Sequence, residues 1–167
     1  TALSALSGLM QESMVRGVGW RFMELGKRME RALQIINIVR SLVIPVTSEN
    51  DQSTLLSALL TAMEVLITYR RRNRDQRGVE LGLELVMLDA TNPRSLLFQM
   101  ERLQQHLAEL PKADAAGSEL EEEERALLEA ITSLQLSRLS KLLEGVDGQR
   151  QDMTGLLQRI EDLLQEF

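Results

Sequence analysis

At 167 residues the chain is sized for one domain with a real core, and its 44% hydrophobic and 26% charged residues are those of an ordinary water-facing globule. A net charge of −6 argues against general nucleic-acid binding, which calls for a basic domain, and the absence of cysteine excludes disulfides, thiolate catalysis and cysteine-held metals. No apolar run nears the roughly 18 residues of a membrane span and the N-terminus has no basic signal region, so the expected setting is cytoplasmic, with no membrane and no nucleic acid as partner.

Leucine, alanine, glutamate and arginine dominate, and three prolines leave long uninterrupted runs, a composition that favours helices. The chain begins at Thr1, not methionine, and is read as either processed or a fragment, the fragment being the preferred reading. Leu3, Leu6, Leu9, Met10 and Met14 share one face of a first helix over about Ala2–Val15. Arg16-Gly17-Val18-Gly19 breaks it, because two close glycines favour a turn. A long helix follows and stops near Pro45, whose ring disfavours a helical residue before it. At about 100° per residue, Phe22, Leu25, Met29, Ala32, Leu33, Ile36 and Val43 form a core-facing stripe. The opposite arc carries Arg21, Glu24, Arg28 and Arg31 in its first turns, then Ile35, Ile38, Val39 and Leu42. The second half of this helix is therefore expected to be covered on both sides. The charges lie on the same line of approach, so a neighbour there would partly desolvate them and demand partners. They form either a solvated helix end of i,i+3 and i,i+4 pairs, or a charge cluster for a partner or an anion.

A third helix, about Thr54–Asn73, places Leu55, Leu56, Leu59, Leu60, Met63, Leu66 and Ile67 on one stripe. Extended onward, that stripe puts Arg70 on its midline, where an ion pair with Glu12, Glu24 or Glu30 is expected. The other arginines up to Arg77 suit a helix C-terminus. A fourth, apolar helix covers about Val79–Leu88. Asn92 then reads as an N-cap and Pro93 as the first position of a fifth helix running to Leu110, whose free amides beside Arg94 could hold an anion. That helix carries His106, the only histidine, which is read as structural. After a polar linker over 112–117, Ser118 and Glu121 match a capping box opening a sixth helix to about Glu144, which Gly145 and Gly148 end. The last helix lines up Met153, Leu156, Leu157, Ile160, Leu163, Leu164 and Phe167, a stripe for the bundle or for a second subunit. No strand pattern occurs. The class is all-α, a single-domain bundle of about six to seven amphipathic helices.

One histidine and no cysteine cannot build a convincing nucleophilic triad. There is no P-loop, no dinucleotide fingerprint, no His-Glu-x-x-His, and Leu103 stands where a Glu-x-x-His metal site would need glutamate. No cofactor, metal site or catalytic residue is therefore assigned; the residues suit binding better.

Three segments together resemble the bacterial alpha-E domain family. The first is Glu12-Ser13-Met14, Arg16 and Gly19-Trp20-Arg21-Phe22, followed by Arg28, Glu30, Arg31 and Ala32, with Glu30-Arg31 as the Glu-Arg motif. The second is Thr68-Tyr69-Arg70-Arg71-Arg72, and the third is Asp89 and Asn92-Pro93-Arg94-Ser95 with Phe98-Gln99 and His106-Leu107. The chain is read as one helical domain, 1–167, with a family-like core over 1–111 and a C-terminal helical pair over 118–167; the likeness is clear over about 6–111 and looser over the pair. It implies a further N-terminal helical portion with its own Glu-Arg motif, so the chain reads as the C-terminal part of such a domain. It also implies a setting beside ATP-grasp proteins and transglutaminase-like proteins, systems that make or process peptide-like amide bonds. Arg21, Glu30, Arg31, Arg70 and Arg94 are the expected binding residues of one charged cleft, arginine being suited to bidentate capture of carboxylate or phosphate. Two functions follow: a non-catalytic module that docks an ATP-grasp ligase or presents its substrate, or an enzyme component whose arginines hold a carboxylate or phosphate. A homo-oligomer formed through the last helix is a third.

Overall fold

The computed structural model describes residues 8–9, 12–74, 78–111 and 120–165. Most of the first helix expected over Ala2–Val15, with Arg77, Ser118 and Phe167, lies outside them. Gly8, Leu9, Glu12 and Ser13 are helical, and 14–17 turn the chain before the long helix begins.

The fold is all-α. Its elements are α1 (Val18–Val43), α2 (Glu49–Ala62), α3 (Leu66–Arg72), α4 (Val79–Leu83), α5 (Leu96–Ala108), α6 (Glu122–Gln135), α7 (Leu139–Leu142) and α8 (Gln151–Gln165). A π-helical turn, Glu84–Leu88, continues α4. No strand occurs among the described residues, only isolated bridges from Gln149 to Pro45 and to Val146.

The axis of the bundle is α1, which packs most extensively on α5 and also against α2 and α8. Leu25, Ala32, Ile36 and Val43 of the expected stripe are buried, and so are Ile35 and Val39 of the opposite arc. The second half of α1 is thus covered from both sides. Phe22 departs from the stripe: it is 60% exposed, because the cover begins one turn later, at Leu25. The buried stripe of α8, Met153, Leu157, Ile160 and Leu164, is covered within the chain, by α6 and α1. A single core cluster runs from Leu25 to Leu164, so the C-terminal helices share the interior of the rest.

Several details differ from the sequence reading: α2 starts at Glu49, with Ser48 as its N-cap, where a polar connection up to Ser53 was expected. The single helix over Thr54–Asn73 is two. Met63 and Glu64 turn, Glu64 takes φ 52°, and α3 restarts at Leu66. The restart resets the helical register, so the stripe drawn through Leu59, Leu60 and Met63 cannot be carried on to Arg70. Tyr69 is buried in its place, and its hydroxyl donates to Gly78 O at 3.1 Å while accepting from Gly78 N at 2.8 Å. The fourth helix widens at its end, where Asp89 N reaches back five residues to Glu84 O at 3.0 Å.

The N-cap of α5 is Ser95, not Asn92. Ser95 Oγ accepts from Phe98 N at 3.1 Å and donates to Asp89 O at 2.6 Å. Asn92 is buried and works inside the preceding loop, donating to Leu85 O at 2.8 Å and accepting from Arg94 N at 3.1 Å. The expected sixth helix breaks over 136–138 into α6 and α7, and Glu121 caps α6 with Glu124 as its capping-box partner.

The end of α1 is closed from far along the chain. Pro45 stops the helix and leaves its last carbonyls without amide donors. Arg150, 5% exposed, supplies them, its guanidinium donating to Val43 O, to Leu143 O at 3.0 Å and to Pro45 O at 3.5 Å. The backbone adds Arg150 N to Ile44 O and Val46 N to Gly148 O, both 3.0 Å. Burial lowers the Arg150 pKa from its ordinary value.

Candidate functional site

Two polar assemblies flank the charged half of α1. The first lies between α1 and α5 around Glu24, which is 2% exposed. Its carboxylate accepts from Lys27 Nζ at 3.1 Å and Arg28 Nη2 at 3.0 Å. Arg28 Nη1 donates to the Gln99 carboxamide at 3.3 Å, and the buried Gln99 donates in turn to Pro93 O. The Phe98 ring lies between two guanidiniums, with the Arg28 and Arg102 carbons 6.0 and 5.0 Å from its centroid. Burial alone would raise the Glu24 carboxyl, but hydrogen bonds and charge from Lys27 and Arg28 outweigh it and hold the pKa below the ordinary value.

Further toward the start of α1, Trp20 meets His106 edge to face at 5.3 Å between ring centroids, and the Arg16 guanidinium stands 5.3 Å from the tryptophan ring. Arg21 pairs with Glu109. Burial disfavours the charged form of His106 and lowers its pKa, helped by Arg28 and Arg21 and opposed by Glu24 and Glu109. Trp20 Nε1, Arg28 Nε and His106 Nδ1 are buried with no hydrogen-bond partner among the described residues.

The second assembly is a cleft of about 240 Å³. Arg31, Gln34, Ile35 and Ile38 of α1 form one wall; Ala62, Met63 and Glu64 at the end of α2, with Pro93, Arg94 and Gln99, form the other. Arg94 pairs with the Glu64 carboxylate and donates to Met63 O at 3.5 Å. Arg31 is exposed and has no acidic partner among the described residues. A shallower groove continues along α1 past Glu30, Leu33, Asn37 and Leu42.

Of the five residues expected to share one cleft, the structure brings two together, Arg31 and Arg94. Glu30 lines the neighbouring groove. Arg21 faces α5 and is taken by Glu109. Arg70 is exposed on α3, and Glu24, one of its expected partners, is held by Lys27 and Arg28. The amides at the start of α5 are partly spoken for, since Phe98 N goes to Ser95 and Arg94 N to Asn92. Among the described residues no three acidic or histidine side chains converge on a point that could hold a metal, and no helix is long and apolar enough to cross a membrane.

Several residues of these assemblies had no assigned role in the sequence. Glu109 and Lys27 are ordinary surface types in ordinary helical spacing. Gln99 was visible only as part of a resemblance. Glu64 reaches Arg94 because of a turn that no glycine, asparagine or proline announces.

No solved structure matches the chain. Uncharacterised proteins of Mycobacterium bovis and of two Mycobacterium tuberculosis strains are each 37% identical to it over 162 residues, 96% of this chain. The chain spans 18% of the length of those relatives. The Alpha-E sequence model, described as a predicted alpha-helical domain with a conserved ER motif, matches residues 1–167, the last helices included. With Glu30-Arg31 standing where α1 meets the cleft, the chain belongs to the Alpha-E family.

Proposed function

We propose that this domain is a non-catalytic helical interaction module working with an ATP-grasp amide or peptide ligase system, with the face of α1 around Glu30 and Arg31 as its recognition surface. The observation that carries the reading is Arg31. It is a guanidinium at the edge of an open cleft, exposed and without an acidic partner among the described residues, while Arg21, Arg28 and Arg94 are all engaged. An accessible cation on the same arc of α1 as the partly buried apolar positions Ile38 and Leu42 has the make-up of a docking surface, where arginine is a favoured anchor. Calorimetric titration with the ATP-grasp protein encoded nearest to this domain tests the reading, with wild type and Arg31→Ala run together. Binding that the substitution weakens is the expected result; full binding by Arg31→Ala overturns it.

A second reading is favoured by one observation, that Arg94 already pairs with a carboxylate, from Glu64, at the cleft mouth. In it the domain is an enzyme component whose Arg31–Arg94 cleft holds a carboxylate or phosphate, arginine offering planar paired donors to such groups. Loss of small-anion binding on Arg31→Ala, with helicity unchanged, is its expected signature.

A further inference from the structure

The cleft contains its own anion, and the backbone carrying that anion is strained. Glu64 lies in the turn between α2 and α3 at φ 52°, in the left-handed region that residues with a Cβ seldom adopt. Its side chain is 67% exposed, lines the cleft and pairs with Arg94. Arg31, on the α1 wall, stands outside this pairing. Two guanidiniums against one carboxylate leave the cleft with one uncompensated positive charge. Ile35, Ile38 and Ala62 supply apolar side chains to the lining of the same cleft. Gln99 also lines the cleft, and both ends of its amide are already committed, to Arg28 and to Pro93.

We infer that Glu64 is an internal competitor: the cleft takes a carboxylate borne on a small aliphatic group, which displaces Glu64 from Arg94 and engages Arg31 as well. This rests on the anion-binding reading of the cleft. Three features carry it. Arg94 already accepts a carboxylate, so an incoming one replaces like with like. The Glu64–Arg94 pair is solvent-exposed, and exposed pairs are weak enough to exchange readily. Ile35, Ile38 and Ala62 in the lining give the carbon skeleton of such a ligand apolar groups to cover, which a bare phosphate would leave wet.

The test follows the arginine side-chain Nε–Hε resonances of the full chain by NMR, titrating N-acetylvaline and, separately, inorganic phosphate. Wild type, Glu64→Gln and Arg31→Ala are compared, with circular dichroism confirming that each is folded. N-acetylvaline should shift the Arg31 and Arg94 signals of wild type. Glu64→Gln should tighten its Kd about two- to fivefold, the range set by losing one exposed ion pair. Arg31→Ala should weaken it. Equal affinity in wild type and Glu64→Gln would overturn the role of Glu64 while leaving anion binding at the cleft intact. Phosphate binding as tightly as N-acetylvaline would overturn the aliphatic-carboxylate assignment. No shift in any variant would overturn the competitor and the cleft reading together.

Discussion

Glu24→Ala is the most informative single change in the buried charge knot. The wild-type carboxylate is 2% exposed and answers two cations, Lys27 at 3.1 Å and Arg28 at 3.0 Å. Breaking a fully buried pair costs about 3–5 kcal/mol, because the abandoned charge stays dry. Here the Lys27 and Arg28 side chains keep 28% and 18% of their exposure, so both can partly rehydrate. We therefore expect about 2–3 kcal/mol at neutral pH, below the range for a dry pair. In a domain of this size that is a drop in Tm of about 5–10 °C. Urea denaturation of wild type, Glu24→Ala, Arg28→Ala and the double variant gives both the loss and the Glu24–Arg28 coupling, expected at about 1–2 kcal/mol. The pH dependence has a definite sign. The folded-state pKa of Glu24 lies below its ordinary 4.5, so its contribution is fully present above that value and is lost as pH falls through the lower, folded-state one. The stability gap between wild type and Glu24→Gln should accordingly narrow below pH 4.5. A Glu24→Ala loss under about 1 kcal/mol, or a gap that does not narrow with acid, would show the pair to be screened like a surface one and refute the reasoning.

Three further outcomes are expected. Arg150→Met removes the donors for Val43, Leu143 and Pro45 carbonyls and should cost about 2–3 kcal/mol by chemical denaturation; a neutral result would mean that water reaches those carbonyls unaided. The folded-state pKa of His106 lies below its ordinary 6.5, so the unfolded chain takes up its proton first and stability should fall as pH drops below 6.5. His106→Phe keeps the edge-to-face contact with Trp20 and should flatten that slope in melts recorded between pH 5 and 7.5. Arg70→Ala should change stability by no more than about 0.5 kcal/mol, as for other exposed positions, and a large loss in thermal melts would restore the ion pair first expected of it.

Periodicity carried most of the architecture. The double-sided burial of Ile35, Ile36 and Val39 was legible because a helix apolar on both arcs must have neighbours on both. The stop at Pro45 was legible for the same kind of local, steric reason. Arg70 shows where such projection fails. A wheel assumes unbroken register, and the turn at Met63–Glu64 breaks it with residues that do not announce a turn. Asn92 and Ser95 show a subtler limit. Both are good caps, and the π-turn at Glu84–Leu88 decides between them by leaving Leu85 O for Asn92 to satisfy. The charged half of α1 was recognisable as a place where partners were needed. Which charges met which was not, since Arg21–Glu109 and Arg28–Gln99 depend on the angle at which α5 crosses α1.

The closure of α1 by Arg150 also bears on the order in which the domain can be assembled. The closure joins positions more than a hundred residues apart, as Arg150 to Val43 and to Pro45 show. A chain emerging from the ribosome therefore completes α1, α2 and α5 while the last carbonyls of α1 still depend on water. Loop-closure entropy must be met before the stitch returns any stabilisation. The longest helix is finished at its far end only when the start of α8 arrives. In pulse-labelled hydrogen exchange, the amides of Val46 and Arg150, which donate across that stitch, should gain protection together, after those in the middle of α1.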